Sequence, residues 1–141
     1  MQLQLVTLSG SKFDEDVYEV VIPTVDGEIG VFPGHEPLVT LARTGVIQVR
    51  RKRTDPLDKL EYFAVSGGIV EVNADHIKIL VDEADHGEDI IEAETKAALD
   101  RALKMRDTAT DQVELEKAHQ LVDRHMVRLK VADLHRRHRR G

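Results

Sequence analysis

The sequence predicts a mainly β protein with an α-helical end: an antiparallel sandwich or barrel followed by a two-helix hairpin. Three observations carry this prediction. Short runs rich in β-branched and aromatic residues recur through the first 87 residues, separated by turn formers and by no helical pattern. From Asp89 to Arg106 there is no Gly or Pro, and Ala, Glu, Lys, Leu and Arg dominate. A further run then repeats apolar residues every three or four positions.

Taken in order, Leu3, Leu5 and Val6 open the first strand, Ser9 to Lys12 reads as a turn, and Tyr18 to Thr24 gives a second strand. The stretch from Gly27 to Thr40 packs three glycines and two prolines into fourteen residues. Glycine tolerates positive φ and proline fixes φ while removing an amide donor, so this density encodes specified turns. Ile29, Val31, Phe32, Leu38 and Val39 tie it to a core, with extended pieces at Glu28 to Phe32 and Leu38 to Leu41. Glu28, His35 and Glu36 are then held in fixed positions.

Val46 to Arg53 alternates, with Ile47 and Val49 on one face and Gln48, Arg50 and Lys52 on the other. Thr54 to Asp58 breaks that strand, and Leu60 to Val65 returns antiparallel to it. Gly67-Gly68 leads into Ile69 to Val72, Asn73 to Asp75 turns the chain, and Ile77, Ile79 and Val81 alternate along the last strand.

The helical part begins with Asp89 as the expected N-cap and Glu92 as its capping-box partner; Asp111 and Glu114 repeat that signal. The second helix offers a stripe of Leu115, Ala118, Val122, Met126, Leu129 and Ala132. The first answers with Ile90, Ala93, Ala97, Leu99, Ala102 and Leu103. A short connection makes them an antiparallel hairpin, which buries little area and is able to undock. The domains expected are residues 1–87, the β-sandwich, and 88–141, the helical hairpin with a basic tail.

With 141 residues the chain is sized for one main core. It has 41% hydrophobic and 33% charged residues and no apolar run long enough for a transmembrane helix. It has no cysteine, which excludes disulfides, a thiol nucleophile and a thiolate metal site. Met1 to Val6 lacks the basic leader and apolar core of a secretory signal, so cytoplasmic location is the expectation. Net charge is −6, yet residues 124–141 carry seven Lys or Arg against one Asp. An acidic body with a basic end points to an acidic partner for the tail.

His35 lies in a Gly-His-Glu-Pro setting without the paired ligands of a zinc site, so a structured loop contacting backbone or a partner is the better reading. Gly67-Gly68 precedes a strand, not a helix, which argues for a turn or bulge over a phosphate cradle. Asp82, Glu83, Asp85, Glu88 and Asp89 lack the spacing of a calcium loop and read as a solvated junction with capping duties. For His135 to Arg140, the acidic body and the lack of interleaved aromatics oppose nucleic-acid binding. Docking on acidic protein side chains, or a frayed solvated end, remain open.

Gly27 to Thr40, Ser66-Gly67-Gly68-Ile69-Val70-Glu71-Val72 and Ile79-Leu80-Val81-Asp82-Glu83-Ala84, in that order, closely resemble the epsilon subunits of bacterial F-type ATP synthases. The resemblance implies a sandwich of about ten strands and a non-catalytic rotor subunit of the central stalk. Such a subunit grips the gamma shaft, sits on the ring of c subunits, and joins the membrane only through the complex, at the cytoplasmic face of the inner membrane. It implies that Asp26, Gly27 and Glu28 face the c-ring and that His35 faces gamma. It also implies helices that lie folded or extend into the catalytic head, suppressing ATP hydrolysis. Arg124, Arg128, Arg136, Arg137, Arg139 and Arg140 would then meet acidic loops of the catalytic alpha and beta subunits.

Some relatives bind ATP through an Ile/Leu-Asp-x-x-Arg-Ala motif. The corresponding residues here run from Ile90 to Thr95, where Ile91 replaces the Asp and Glu94 the Arg, so no cofactor and no tight ATP binding are expected. The alternatives are a nucleic-acid-binding β-domain with a basic hairpin and, more remotely, a small metal-dependent hydrolase.

Overall fold

A computed structural model describes the backbone of residues 1–139 and the side chains of residues 1–138. Ten strands come first: β1 (Gln2–Thr7), β2 (Gly10–Asp16), β3 (Glu19–Thr24), β4 (Gly27–Val31), β5 (Leu38–Ala42), β6 (Gly45–Arg50), β7 (Glu61–Val65), β8 (Gly68–Val72), β9 (His76–Val81) and β10 (Ala84–His86). Two helices follow, α1 (Glu92–Thr108) and α2 (Gln112–Arg139). The strands join in the order β10-β7-β6-β3-β5-β8-β9-β1-β2, with β4 pairing β3, and fold over into a nearly closed sandwich. Residues at every second position fill its interior, among them Leu3, Leu5, Ile22, Ile47, Phe63, Ile77 and Ile79.

Two strands escape the sequence pattern. β2, Gly-Ser-Lys-Phe-Asp-Glu-Asp, buries only Phe13, because it is an edge strand whose charges discourage further pairing. β10 is three residues long and forms the other edge. Where these edges approach each other, Arg51 reaches from Glu15 of β2, at 2.8 Å, to Glu61 of β7, at 2.5 Å. It also lies over the Phe13 ring, 5.0 Å from its centroid, and so ties the rim together. The pairing is antiparallel except between β1 and β9, which run parallel. A parallel pair needs a long crossover, and here everything from β2 to β8 supplies it.

Gly68 earns its identity from packing, since a Cβ there would lie 1.8 Å from the Leu80 carbonyl oxygen of β9. Gly67 forms the bend that joins β7 to β8, in keeping with the turn expected there, and Gly68 opens β8.

β7 explains how the helices attach. All four residues from Tyr62 to Val65 are buried, which a strand with one wet face does not do. Phe63 and Val65 enter the sandwich core, while Tyr62 and Ala64, with Leu60, meet Val131, Ala132 and Ile90 on the other side. α2 therefore lies on the outer face of β7 and packs against α1 along its length.

The helix boundaries and faces differ from expectation at named residues. Asp89 caps nothing: Gly87–Asp89 forms a 3₁₀ turn, His86 accepts its Glu88 amide, and α1 begins at Glu92 after an uncapped Ile91. Asp111 does cap α2, accepting from the Glu114 amide at 2.8 Å while Glu114 accepts from Thr110. Ala93 and Ala97 are exposed; the buried face of α1 runs instead through Thr95 and Ala102. Met126 is 56% exposed, and His125 occupies its expected place in the stripe. Val131, absent from the expected stripe, is fully buried against the sandwich.

Candidate functional site

The hairpin between β3 and β4 presents Asp26, Gly27 and Glu28 to solvent. Thr24, itself buried, fixes the tip: its hydroxyl donates to the Gly27 carbonyl at 2.6 Å and accepts from the Asp26 amide at 3.2 Å. Gly27 adopts φ +108°, which an L side chain avoids. Two carboxylates thus stand on a rigid tip.

His35 is half-buried in the loop between β4 and β5, and its Nδ1 donates to the Glu36 carbonyl at 2.7 Å. The loop is pinned where the Gly34 amide donates to the Ala74 carbonyl at 2.7 Å. At the other end of β5, the Val25 amide donates to the Leu41 carbonyl at 3.1 Å. One strand therefore links the acidic tip to the His35 loop.

That strand also carries the feature sequence reasoning missed. On the outer face of β5, β8, β9 and β1, the register aligns Leu41 with Ile69, Ile69 with Leu80, and Leu80 with Val6. Val39 stands beside this row at 73% exposure and Leu8 beyond its end at 95%. A shallow depression of about 350 Å³ runs past Val6, Leu8, Ile69 and Leu80. This is a contiguous apolar stripe on the side away from the helices. The signal was present in the sequence, because Ile69-Val70 and Ile79-Leu80 put apolar residues on both faces of their strands.

The basic residues are engaged within the chain. Arg124 approaches Glu83 at 3.2 Å and Arg128 approaches Asp85 at 3.3 Å, so part of the acidic junction is the docking ground of α2. Arg136 bridges Glu92 and Asp133, and Arg137 also meets Asp133. Arg140 and the side chain of Arg139 lie outside the described residues. At the far end of α2, the His138 ring meets the Tyr62 hydroxyl at 2.5 Å, and the His86 and His135 rings stand 6.0 Å apart. His86 Nε2 lies 3.1 Å from Glu61. Burial raises the Glu61 pKa, but hydrogen bonds from His86 and Arg51 outweigh it and hold the carboxyl down at about 2.

No cluster of metal-ligating side chains occurs among the described residues, and no helix is long and apolar enough to cross a membrane.

Residues 1–87 match the family model described as ATP synthase, Delta/Epsilon chain, beta-sandwich domain. The ATP synthase epsilon chain of Staphylococcus aureus strain JH9 is 36% identical over 135 residues, covering 95% of this chain and 97% of that one. The chain belongs to the ATP synthase delta/epsilon family, among its epsilon chains. The epsilon chain of strain Newman matches equally well. Among solved structures, a chain of the Euglena gracilis mitochondrial ATP synthase, described as OSCP/F1/c-ring in rotational state 1, superposes with TM-score 0.76 at 25% identity. That match covers 94% of this chain and 80% of that chain. A chain of the Tetrahymena thermophila mitochondrial ATP synthase central stalk and c-ring shares the fold, at TM-score 0.59 and 15% identity over 94% of this chain and 96% of that one. The family model spans the ten strands, residues 1–87, and the relatives and superposed chains extend the likeness over the helices.

Proposed function

We propose that this epsilon chain is a non-catalytic rotor subunit that couples rotation of a proton-driven c-ring to the catalytic head through the gamma shaft. The observation that carries this reading is the apolar row of exposed Leu41, Ile69 and Leu80 with half-buried Val6 at its end, a patch of the kind that marks an interaction surface. Gamma is its partner. His35 borders the contact through β5, and Asp26, Gly27 and Glu28 reach the polar loops of the ring from the adjoining tip. On this reading the complex holds the chain at the cytoplasmic face of a bacterial membrane, and the chain itself uses no nucleic acid, metal or tightly bound ATP.

Titration of the purified chain with its cognate gamma tests the contact. Wild type binds tightly and stoichiometrically, Ile69→Asp loses at least tenfold in affinity, about 1.4 kcal/mol or more, and His35→Ala loses less. Equal affinity for Ile69→Asp and wild type would remove the apolar row from the interface. Nucleotide hydrolysis by the isolated chain would overturn the non-catalytic assignment.

The helices regulate. Docked, they spend Arg124 and Arg128 on Glu83 and Asp85; extended, they offer those cations, with Arg136, Arg137, Arg139 and Arg140, to acidic loops of the alpha and beta subunits. Ending the chain after Val131 should raise hydrolysis by the assembled enzyme, and an unchanged rate counts against the inhibitory role.

A further inference from the structure

The seam between the two helices contains one side chain that an apolar seam does not call for. Ala118, Val122, His125, Leu129 and Ala132 recur at alternating intervals of four and three and form one stripe of α2. Ala118 and Val122 are buried where α2 meets α1, as is Ala102 of α1. His125 is half-buried in mid-stripe, and its Nδ1 is buried with no hydrogen-bond partner among the described residues.

Its electrostatic surroundings come from three elements. Arg124 and Arg128 flank it on its own helix, Arg101 acts on it from α1, and Glu83 acts on it from the turn between β9 and β10. Asp85 is held by Arg128 at 3.3 Å. Burial, then Arg128 and Arg124, lower the pKa of the ring from its ordinary 6.5, with Glu83 pulling the other way.

We propose that His125 is a proton-sensitive wedge in the helical hairpin: neutral, it lets α1 and α2 stay docked; protonated, it places in the seam a cation whose buried Nδ1 has no hydrogen-bond partner among the described residues, within the field of Arg101, Arg124 and Arg128, and releases the helices. The proposal deepens the regulatory reading of the helices and rests on it only for the consequence in the assembled enzyme. The sign follows from linkage. The docked state binds the proton less well than the undocked state, so docking is fully stable above the ordinary histidine value. It weakens as the pH falls from there toward the lowered docked value.

Because the chain has no cysteine, label sites introduced at Glu71 on β8 and Lys104 on α1 report docking by energy transfer in the isolated full-length chain. Between about pH 8 and about pH 5.5, the range in which histidine titrates, the undocked population of wild type should rise several-fold. His125→Gln should stay flat, and His125→Lys should be undocked at the alkaline end while the strands keep their amide protection. A wild type that ignores pH, or a His125→Gln chain that responds as wild type does, overturns the proposal. The readout needs neither gamma nor hydrolysis, so it fails or survives independently of the truncation experiment.

Discussion

Between the sheets, eighteen buried apolar side chains form one cluster among the described residues, from Leu3 to Ala84. Beneath the helices the corresponding cluster holds six: Leu60, Tyr62, Ala64, Ile90, Val131 and Ala132. Apolar burial sets the scale of stability, so the sandwich is a platform and the hairpin an attachment. Ion pairs at the edge of the attachment add little, because their side chains stay partly in water. A rotor subunit benefits from that ordering. The part that would bear torque is built to stay folded, and the part that would regulate opens at lower cost.

The sharpest way to break the platform is Phe63→Ala. Phe63 is 1% exposed and meets Phe13 edge-on at 5.6 Å and His86 at 4.9 Å. The cavity should cost about 3–5 kcal/mol, read as a shift in the denaturant midpoint of the whole sandwich. The matching cut in the attachment is Val131→Ala, which removes two methyl groups from a fully buried site. It should cost about 1–2 kcal/mol of docking, seen as faster amide exchange across α2 with the exchange of β1, β8 and β9 unchanged. If the strands loosened equally, the two regions would be one cooperative unit.

Acid separates the regions in a second way. Glu61 is held at about 2 in the folded state against an ordinary 4.5. Its contribution is therefore present above about 4.5 and lost as the pH falls toward about 2. Glu61→Gln should flatten the fall in sandwich stability across that window, measured by denaturation at successive pH values. Unchanged acid sensitivity would shift the cause to other carboxylates. The platform thus has its own acid limit, well below the pH at which His125 is argued to release the hairpin.

How far the sequence could be read also divides by region. Alternation at Leu3-Leu5, Ile47-Val49 and Ile77-Ile79-Val81 announced the sandwich, because a strand with one buried face leaves a period of two. β2 did not announce itself, since an edge strand is selected for charge more than for burial. The apolar row was hidden for the opposite reason: outward Leu41, Ile69 and Leu80 resemble core residues until the register shows which face they occupy. In α2, hydrophobicity argued for Met126 in the seam, but the alternating spacing from Ala118 to Ala132 places His125 there. Tyr62 and Ala64 could not be assigned to a helix contact without knowing that α2 returns to β7. The acids at Glu83 and Asp85 were legible as a cluster, and only the fold supplied their arginines.

The smallest effect belongs to those arginines. The Arg124–Glu83 and Arg128–Asp85 side chains keep between 27% and 50% of their exposure, so each pair should contribute about 0.2–1 kcal/mol, less in salt. Arg124→Gln with Arg128→Gln should speed α2 exchange a few-fold, leave the strands alone, and remove the salt sensitivity expected of wild-type docking. If wild-type docking ignored salt and the double variant exchanged no faster, the apolar patch alone would hold the hairpin. The two arginines would then be free for an acidic partner without first leaving one, and extension into a catalytic head would cost only the burial of Val131, Ala132 and their neighbours.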